Sequence, residues 1–199
     1  MRTPVVVAAL LLGPALQSVR AQASPPASPQ SPDEQIAQAV LPLPAEMRGN
    51  ASVLGYSAEG KLTTLRSGSG AMTCIATDPH GARFHVACYH KSLEPFMARG
   101  RELRAQGVRG DMVDSVRFRE SREGKLKLPE APALLYSLSG AKDAYDPATK
   151  TAKARALFVV YMPYATSETT GLSAVPAEGM PWVMFPGTPK AHIMFVPKM

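Results

Sequence analysis

The chain has 199 residues, of which 45% are hydrophobic and 19% charged, with a formal net charge of +6. That length supports one domain with a real core and leaves little room for two, and the composition is that of an ordinary globular protein, not a disordered or fibrous one. The charge surplus is local: Arg99 to Lys127 carries nine Lys/Arg against five Asp/Glu, so most of the chain is near neutral and the bulk charge identifies no partner.

The first twenty-three residues read as a signal peptide. Arg2 supplies a positive start, Val5 to Leu12 is an unbroken apolar run, Gly13-Pro14 breaks it, and Ala21-Gln22-Ala23 has the small-x-small pattern of a cleavage site. An apolar run of this length is far short of the roughly 20 residues that span a bilayer, so no transmembrane anchor is expected. No cysteine follows the cleavage site, which argues against a lipid-anchored form. Cleavage would remove Arg2 and Arg20 and lower the net charge from +6 to +4. The expectation is an exported protein, periplasmic or extracellular.

Residues 24–44 read as a Pro/Ser-rich tether with Asp33 placed to cap a short helix through Val40, which Leu41-Pro-Leu-Pro44 then stops. A single globular domain is expected over residues 45–199. Ala51–Tyr56 and Lys61–Arg66 form two β-prone runs around the turn residues Ser57-Ala-Glu-Gly60. Met72–Thr77 and Arg83–Tyr89 flank Asp78-Pro-His-Gly81, a tight-turn sequence. The antiparallel register that sets Cys74 opposite Cys88 pairs residues whose numbers sum to 162. These are the only two cysteines, and in an oxidising compartment an even pair reads as a disulfide.

Two amphipathic helices follow. Ser92 is the expected N-cap of the first, with Glu94 and Pro95 in its first turn, Leu93, Phe96, Met97 and Leu103 inward, and Gly107 at its end. The second is expected from Asp111 to Gly124, with Met112, Val113 and Val116 inward. Strands return at Ala133–Leu138, Ala156–Met162, Pro181–Phe185 and Ala191–Val196. There is no regular alternation of strand and helix. The fold class expected is α+β, a mainly antiparallel sheet with two central helices and a disulfide-stapled hairpin.

The chemistry-bearing residues give no closed motif. His80, His85, Cys88, His90 and His192 match no zinc spacing, His85 and His90 differ in strand parity, and a bridged Cys88 cannot ligate; no metal or cofactor is expected. Ser69 lies in Ser67-Gly-Ser-Gly70, which lacks both a nucleophile-elbow and a phosphate-loop pattern and reads as a flexible turn. The weak catalytic candidates are His90, Glu94 and His192, which would have to converge around a cleft. Asp78 and Glu102 are carboxylates that sequence leaves unranked. Arg99, Arg101 and Arg104 open a basic segment in which seven of nine basic residues are arginines, suited to bidentate contacts with an anion. Its interleaved acids also suit plain i,i+4 pairing. Export and the single stacking aromatic there, Phe118, argue against nucleic acid.

Leu65-Arg-Ser-Gly-Ser-Gly-Ala-Met-Thr-Cys74, Cys88-Tyr89, Arg101-Glu-Leu-Arg-Ala-Gln-Gly107, Leu135-Tyr-Ser-Leu-Ser-Gly140, Tyr161-Met-Pro-Tyr164 and Pro186-Gly-Thr-Pro-Lys-Ala-His-Ile-Met194, in this order, resemble an uncharacterised family of exported bacterial proteins. The resemblance runs from about Lys61 to Pro197. It implies bacterial secretion and the two-cysteine hairpin, and no activity. The family pattern often has a histidine just before the Tyr161 strand, where this chain reads Ala154-Arg-Ala156. Together these readings lead to a non-catalytic binding or structural domain of the cell envelope, with an anionic envelope component as partner. The alternative is a hydrolase-like enzyme built on a His/Glu cluster.

Overall fold

The computed structural model describes residues 30–197, so the expected signal peptide and the first part of the tether lie outside the described residues. An eight-stranded sheet forms the centre. Its strands are β1 (Ser52–Tyr56), β2 (Leu62–Arg66), β3 (Met72–Ile75), β4 (Phe84–His90), β5 (Ala133–Gly140), β8 (Arg155–Tyr161), β9 (Trp182–Met184) and β10 (His192–Phe195). They lie in the order β2-β1-β3-β4-β5-β8-β10-β9. Only β1 and β3 pair in parallel; all other neighbours are antiparallel. A separate short ribbon, β6 (Tyr145–Asp146) and β7 (Thr151–Ala152), sits between β5 and β8 in the chain.

The fold class is therefore α+β, as the sequence implies. The register of β3 on β4 also follows the expected sum of 162: Met72 faces His90, Thr73 faces Tyr89, Cys74 faces Cys88 and Ile75 faces Ala87. Cys74 and Cys88 form a disulfide with an S–S distance of 2.06 Å, and both are wholly buried.

Strand parity separates two faces. One carries Tyr89, Ala133, Leu135, Val159 and Tyr161, and helix α3 (Glu94–Ala105) packs on it through Leu93 and Met97. Helix α4 (Asp111–Arg122) packs against α3. The two approach closely at Gly100, where an added Cβ would stand 3.0 Å from a guanidinium nitrogen of Arg117. The other face carries Val53, Met72, Cys74 and Cys88 and is covered by α1 (Pro32–Ala39) and its continuation through Val40 and Leu43. The short helix α2 (Ala45–Arg48) adds Met47 to that cluster.

Several expectations are corrected here. The short helix expected through Val40 forms as α1, but it is packed into the body and not left in a tether: Ala39 and Leu43 are buried against the disulfide face, and Ser31, not Asp33, caps the helix by accepting from the Glu34 amide. Ile36, Ala39, Val40 and Leu43 fall on one helical stripe, and that burial outweighs the proline-rich surroundings. The expected N-cap Ser92 lies inside a 3-10 turn (Lys91–Leu93) that precedes α3, and His90 caps that turn instead. Met112 is 60% exposed, because the buried stripe of α4 runs from Val113 to Arg117 and leaves Met112 to the side. The glycine-serine loop at residues 67–70 is pinned to the sheet. Gly70 N donates to Asn50 O at 2.7 Å, Gly68 N donates to Ser52 Oγ at 3.0 Å, and a Cβ on Gly68 would collide with the Asn50–Ala51 backbone.

Candidate functional site

The three residues offered as a catalytic cluster do not assemble. His90 Nδ1 accepts from the Ser92 amide at 3.2 Å and lies 2.8 Å from Ser92 Oγ, a helix-entry cap. Glu94 accepts from Tyr89 Oη at 2.6 Å and from Arg101, whose guanidinium also donates to Tyr89 Oη at 3.0 Å. Burial, with the Glu94 hydrogen bond, pushes the Tyr89 phenol well up, so it stays protonated as the donor in this triad. His192 sits on β10. Strands β5 and β8 separate β10 from β4, three spacings of about 4.8 Å each. No shared cleft gathers the three groups.

His192 belongs to a different constellation. It is buried, its ring lies 5.0 Å from that of Tyr161 and 5.7 Å from that of Phe185, and its Nδ1 is 2.7 Å from the Lys190 carbonyl. Nδ1 must therefore carry the proton and donate it. Burial holds the imidazole below its ordinary value, against the opposing effect of that hydrogen bond. Lys190 Nζ turns to Asp114, which also accepts from the buried Arg117. The Arg117 guanidinium stacks 3.9 Å over the Phe96 ring and donates to the Phe96 carbonyl at 3.1 Å. Burial raises the Tyr161 phenol to about 12. These groups are spent on one another and bind α4 to the end of the sheet. Sequence missed the network because Lys190 and Asp114 lie 76 positions apart.

The basic segment also turns inward. Arg99 holds Glu120 in a bidentate pair, with Nε–Oε2 at 2.8 Å and a terminal nitrogen 2.7 Å from Oε1, and reaches Glu102 at 3.2 Å. Arg101 is committed to Glu94 and Tyr89. Of the three arginines expected to contact an anion, only Arg104 is exposed without a carboxylate partner among the described residues. Two of the interleaved acids that sequence set against an anion site, Glu102 and Glu120, occupy Arg99, whereas Arg101 is held by Glu94, which precedes the segment. No group of three or more His, Cys, Asp or Glu side chains is arranged to hold a metal ion among the described residues.

A wide concave surface lies elsewhere, on the disulfide side of the sheet next to the part that α1 covers. Leu134 and Tyr136 on β5, Phe158 and Val160 on β8 and Phe195 on β10 form adjacent rows there. With Met180, Pro181, Val196 and Pro197 they line a groove of about 450 Å³ without a charged wall. Tyr136 and Phe158 meet edge to face at 5.3 Å, and Met180 and Phe195 stand 62% and 39% exposed. Around the end of β10 the groove shares Gly179, Val196 and Pro197 with a second hollow of about 370 Å³, lined also by Trp182, Arg155 and Glu178. Neither Arg155 nor Glu178 forms an ion pair among the described residues. Compared with protein-family models, curated proteins and solved structures, the chain matches none.

Proposed function

We propose that this chain is an exported binding domain of a bacterial cell envelope whose open sheet face takes an anionic single-chain amphiphile such as a fatty acid. The leader-like residues 1–23 and the buried disulfide support export. The observation that carries the binding reading is the uncharged groove over Leu134, Tyr136, Phe158, Val160 and Phe195, continuous with a hollow lined by Arg155 and Glu178, neither of which is ion-paired among the described residues. Exposed apolar area of this kind, concave and rimmed by a charge, is the usual form of a ligand surface. The hydrocarbon chain would lie along the aromatic rows, and the carboxylate would pair with Arg155. The anionic envelope partner is thus assigned to the sheet face, away from the neutralised arginines of α3.

Trp182, the only tryptophan of the chain, lines the hollow and supplies the assay. Titration of decanoate into protein purified from an exporting host should change Trp182 emission saturably. Phe195→Asp should weaken the response about tenfold or more, since it puts a charge into the apolar wall. Arg155→Ala should weaken decanoate but leave decanol unchanged. A flat Trp182 signal, or equal response of wild type and Phe195→Asp, would overturn the reading.

A further inference from the structure

A smaller pocket lies between the start of α1 and the turn joining β3 to β4. Its volume is about 180 Å³, and its lining includes Gln30, Gln38, Asp78, Pro79, Phe84 and Lys142. That is below the roughly 300–1,000 Å³ of drug-sized sites and fits one small ring unit. Gln35, also at its wall, is fully occupied: its Nε2 donates to the carbonyls of Gln30 and Tyr56, each at 2.9 Å, and its Oε1 accepts from the Tyr56 amide at 2.7 Å. Gln38 is different. It is only 3% exposed, its Nε2 donates to Gln30 Oε1, and its own Oε1 has no partner among the described residues.

Among the described residues Gln38 Oε1 accepts no hydrogen bond and Gln30 Nε2 donates none, and both side chains line the pocket. Behind them the Phe84 and Tyr145 rings stack with centroids 6.3 Å apart and close the floor. At the mouth, one oxygen of Asp78 is taken by the His80 amide at 2.9 Å, and neither Asp78 nor Lys142 joins an ion pair among the described residues. An acceptor on buried Gln38 and a donor on exposed Gln30, in a pocket with apolar Phe84 and Pro79 on its wall, complement a secondary amide bearing a methyl group. Free polar groups at the mouth complement ring hydroxyls.

We propose that this pocket binds an N-acetylated amino sugar, the acetamido group donating to Gln38 Oε1 and accepting from Gln30 Nε2, its methyl against Phe84 and Pro79. The ring hydroxyls meet Asp78 and Lys142. This site is separate from the amphiphile groove, and either can fail without the other.

The test is an amide-resolved NMR titration of the protein from an exporting host. N-acetylglucosamine should shift the amides of Thr77, Asp78, His80, Gly81, Gln38, Lys142 and Tyr145 saturably. Glucose, which lacks the acetamido group, should bind about tenfold more weakly or worse, as expected for two lost hydrogen bonds. Gln38→Leu should remove the response while the rest of the spectrum stays in place. Should that variant unfold, Asp78→Ala with Lys142→Ala, both on the surface, should still weaken binding several-fold. No saturable shift up to the solubility limit of the sugar would overturn the proposal, as would equal binding of glucose. N-acetylalanine methylamide binding as tightly as the sugar would overturn the sugar assignment and make the ligand a peptide amide.

Discussion

Lys190 Nζ lies 2.8 Å from Asp114 Oδ2, so a side chain just before β10 is tied to the first turn of α4. Asp114 receives Arg117 on its other oxygen, and both cations are largely removed from water, with side-chain exposures of 22% for Lys190 and 5% for Arg117. One carboxylate thus neutralises two cations at the junction of the helical layer and the sheet.

Asp114→Asn should therefore destabilise the fold by about 2–4 kcal/mol in urea titration, because it strands a buried guanidinium. Burial alone would raise the Asp114 carboxyl, but hydrogen bonds from Lys190 and Arg117, together with their charges, hold it below the usual range. A depressed folded-state value means stability that is complete above the unfolded value of about 3.9 and lost as pH falls through the folded one. The wild type should accordingly lose stability in acid more steeply than Asp114→Asn, which has no such group to protonate. Parallel acid profiles would remove Asp114 from this role.

His192 makes a second pH prediction in a different window. Its folded-state value is depressed by burial, so the unfolded chain takes up the proton first. Stability should be complete above about pH 6.5 and decline below it. His192→Gln should flatten the fall in melting temperature between pH 7 and pH 5. His85, exposed on β4 yet also held down by partial desolvation of its ring and by the nearby Arg83 charge, should contribute part of the slope that remains. An unchanged slope in His192→Gln would place the acid sensitivity elsewhere.

The parts of this fold that were legible in sequence are those set by local chemistry. Asp78-Pro-His-Gly81 fixed the β3–β4 turn, and with it the 162 register and the disulfide. The strands β5 and β8 were visible as apolar runs, but their faces were not. Both faces of each carry apolar side chains, so periodicity could not say that Leu135 and Val159 would meet α3 while Tyr136 and Phe158 would stay open. The arginines were read as a set because they are close in sequence. Glu120, the partner of Arg99, is set by the α3–α4 crossing, which sequence spacing does not encode; Glu94 lies two turns before Arg101 on α3, and only their shared Tyr89 comes from β4. Arg117 was the hardest case, a charge in the position four residues after Val113 where an apolar side chain is the rule.

The disulfide leads to a third prediction. Protein from an exporting host should have no free thiol in the native state and two after unfolding and reduction, measured by intact mass with alkylation. Both sulfurs are buried beneath α1, so reductant should act on the native protein only as fast as the cover opens. Replacing both cysteines by Ala should cost about 2–4 kcal/mol, as expected for a closed loop of 14 residues, without abolishing the fold. Native protein with two titratable thiols would contradict the pairing.

The covering role of α1 is the sharpest departure from a reading of residues 24–44 as tether, and it is directly testable. Leu43 is 1% exposed in the cluster that holds Cys74, Cys88 and Val53, while Met112, expected inward on α4, is 60% exposed. Leu43→Ala removes three buried carbon atoms and leaves a cavity, which should cost about 2–4 kcal/mol. Met112→Ala removes a side chain that already faces water and should stay within about 0.5 kcal/mol of wild type. Were residues 32–43 a tether, Leu43→Ala would be silent; were Met112 inward on α4, Met112→Ala would be costly. Removal of the chain before Ala45 sharpens the contrast, since it strips Ala39, Val40 and Leu43 from the disulfide face at once. That variant should expose the disulfide to reductant under native conditions, bind a hydrophobic dye, and melt well below the intact protein.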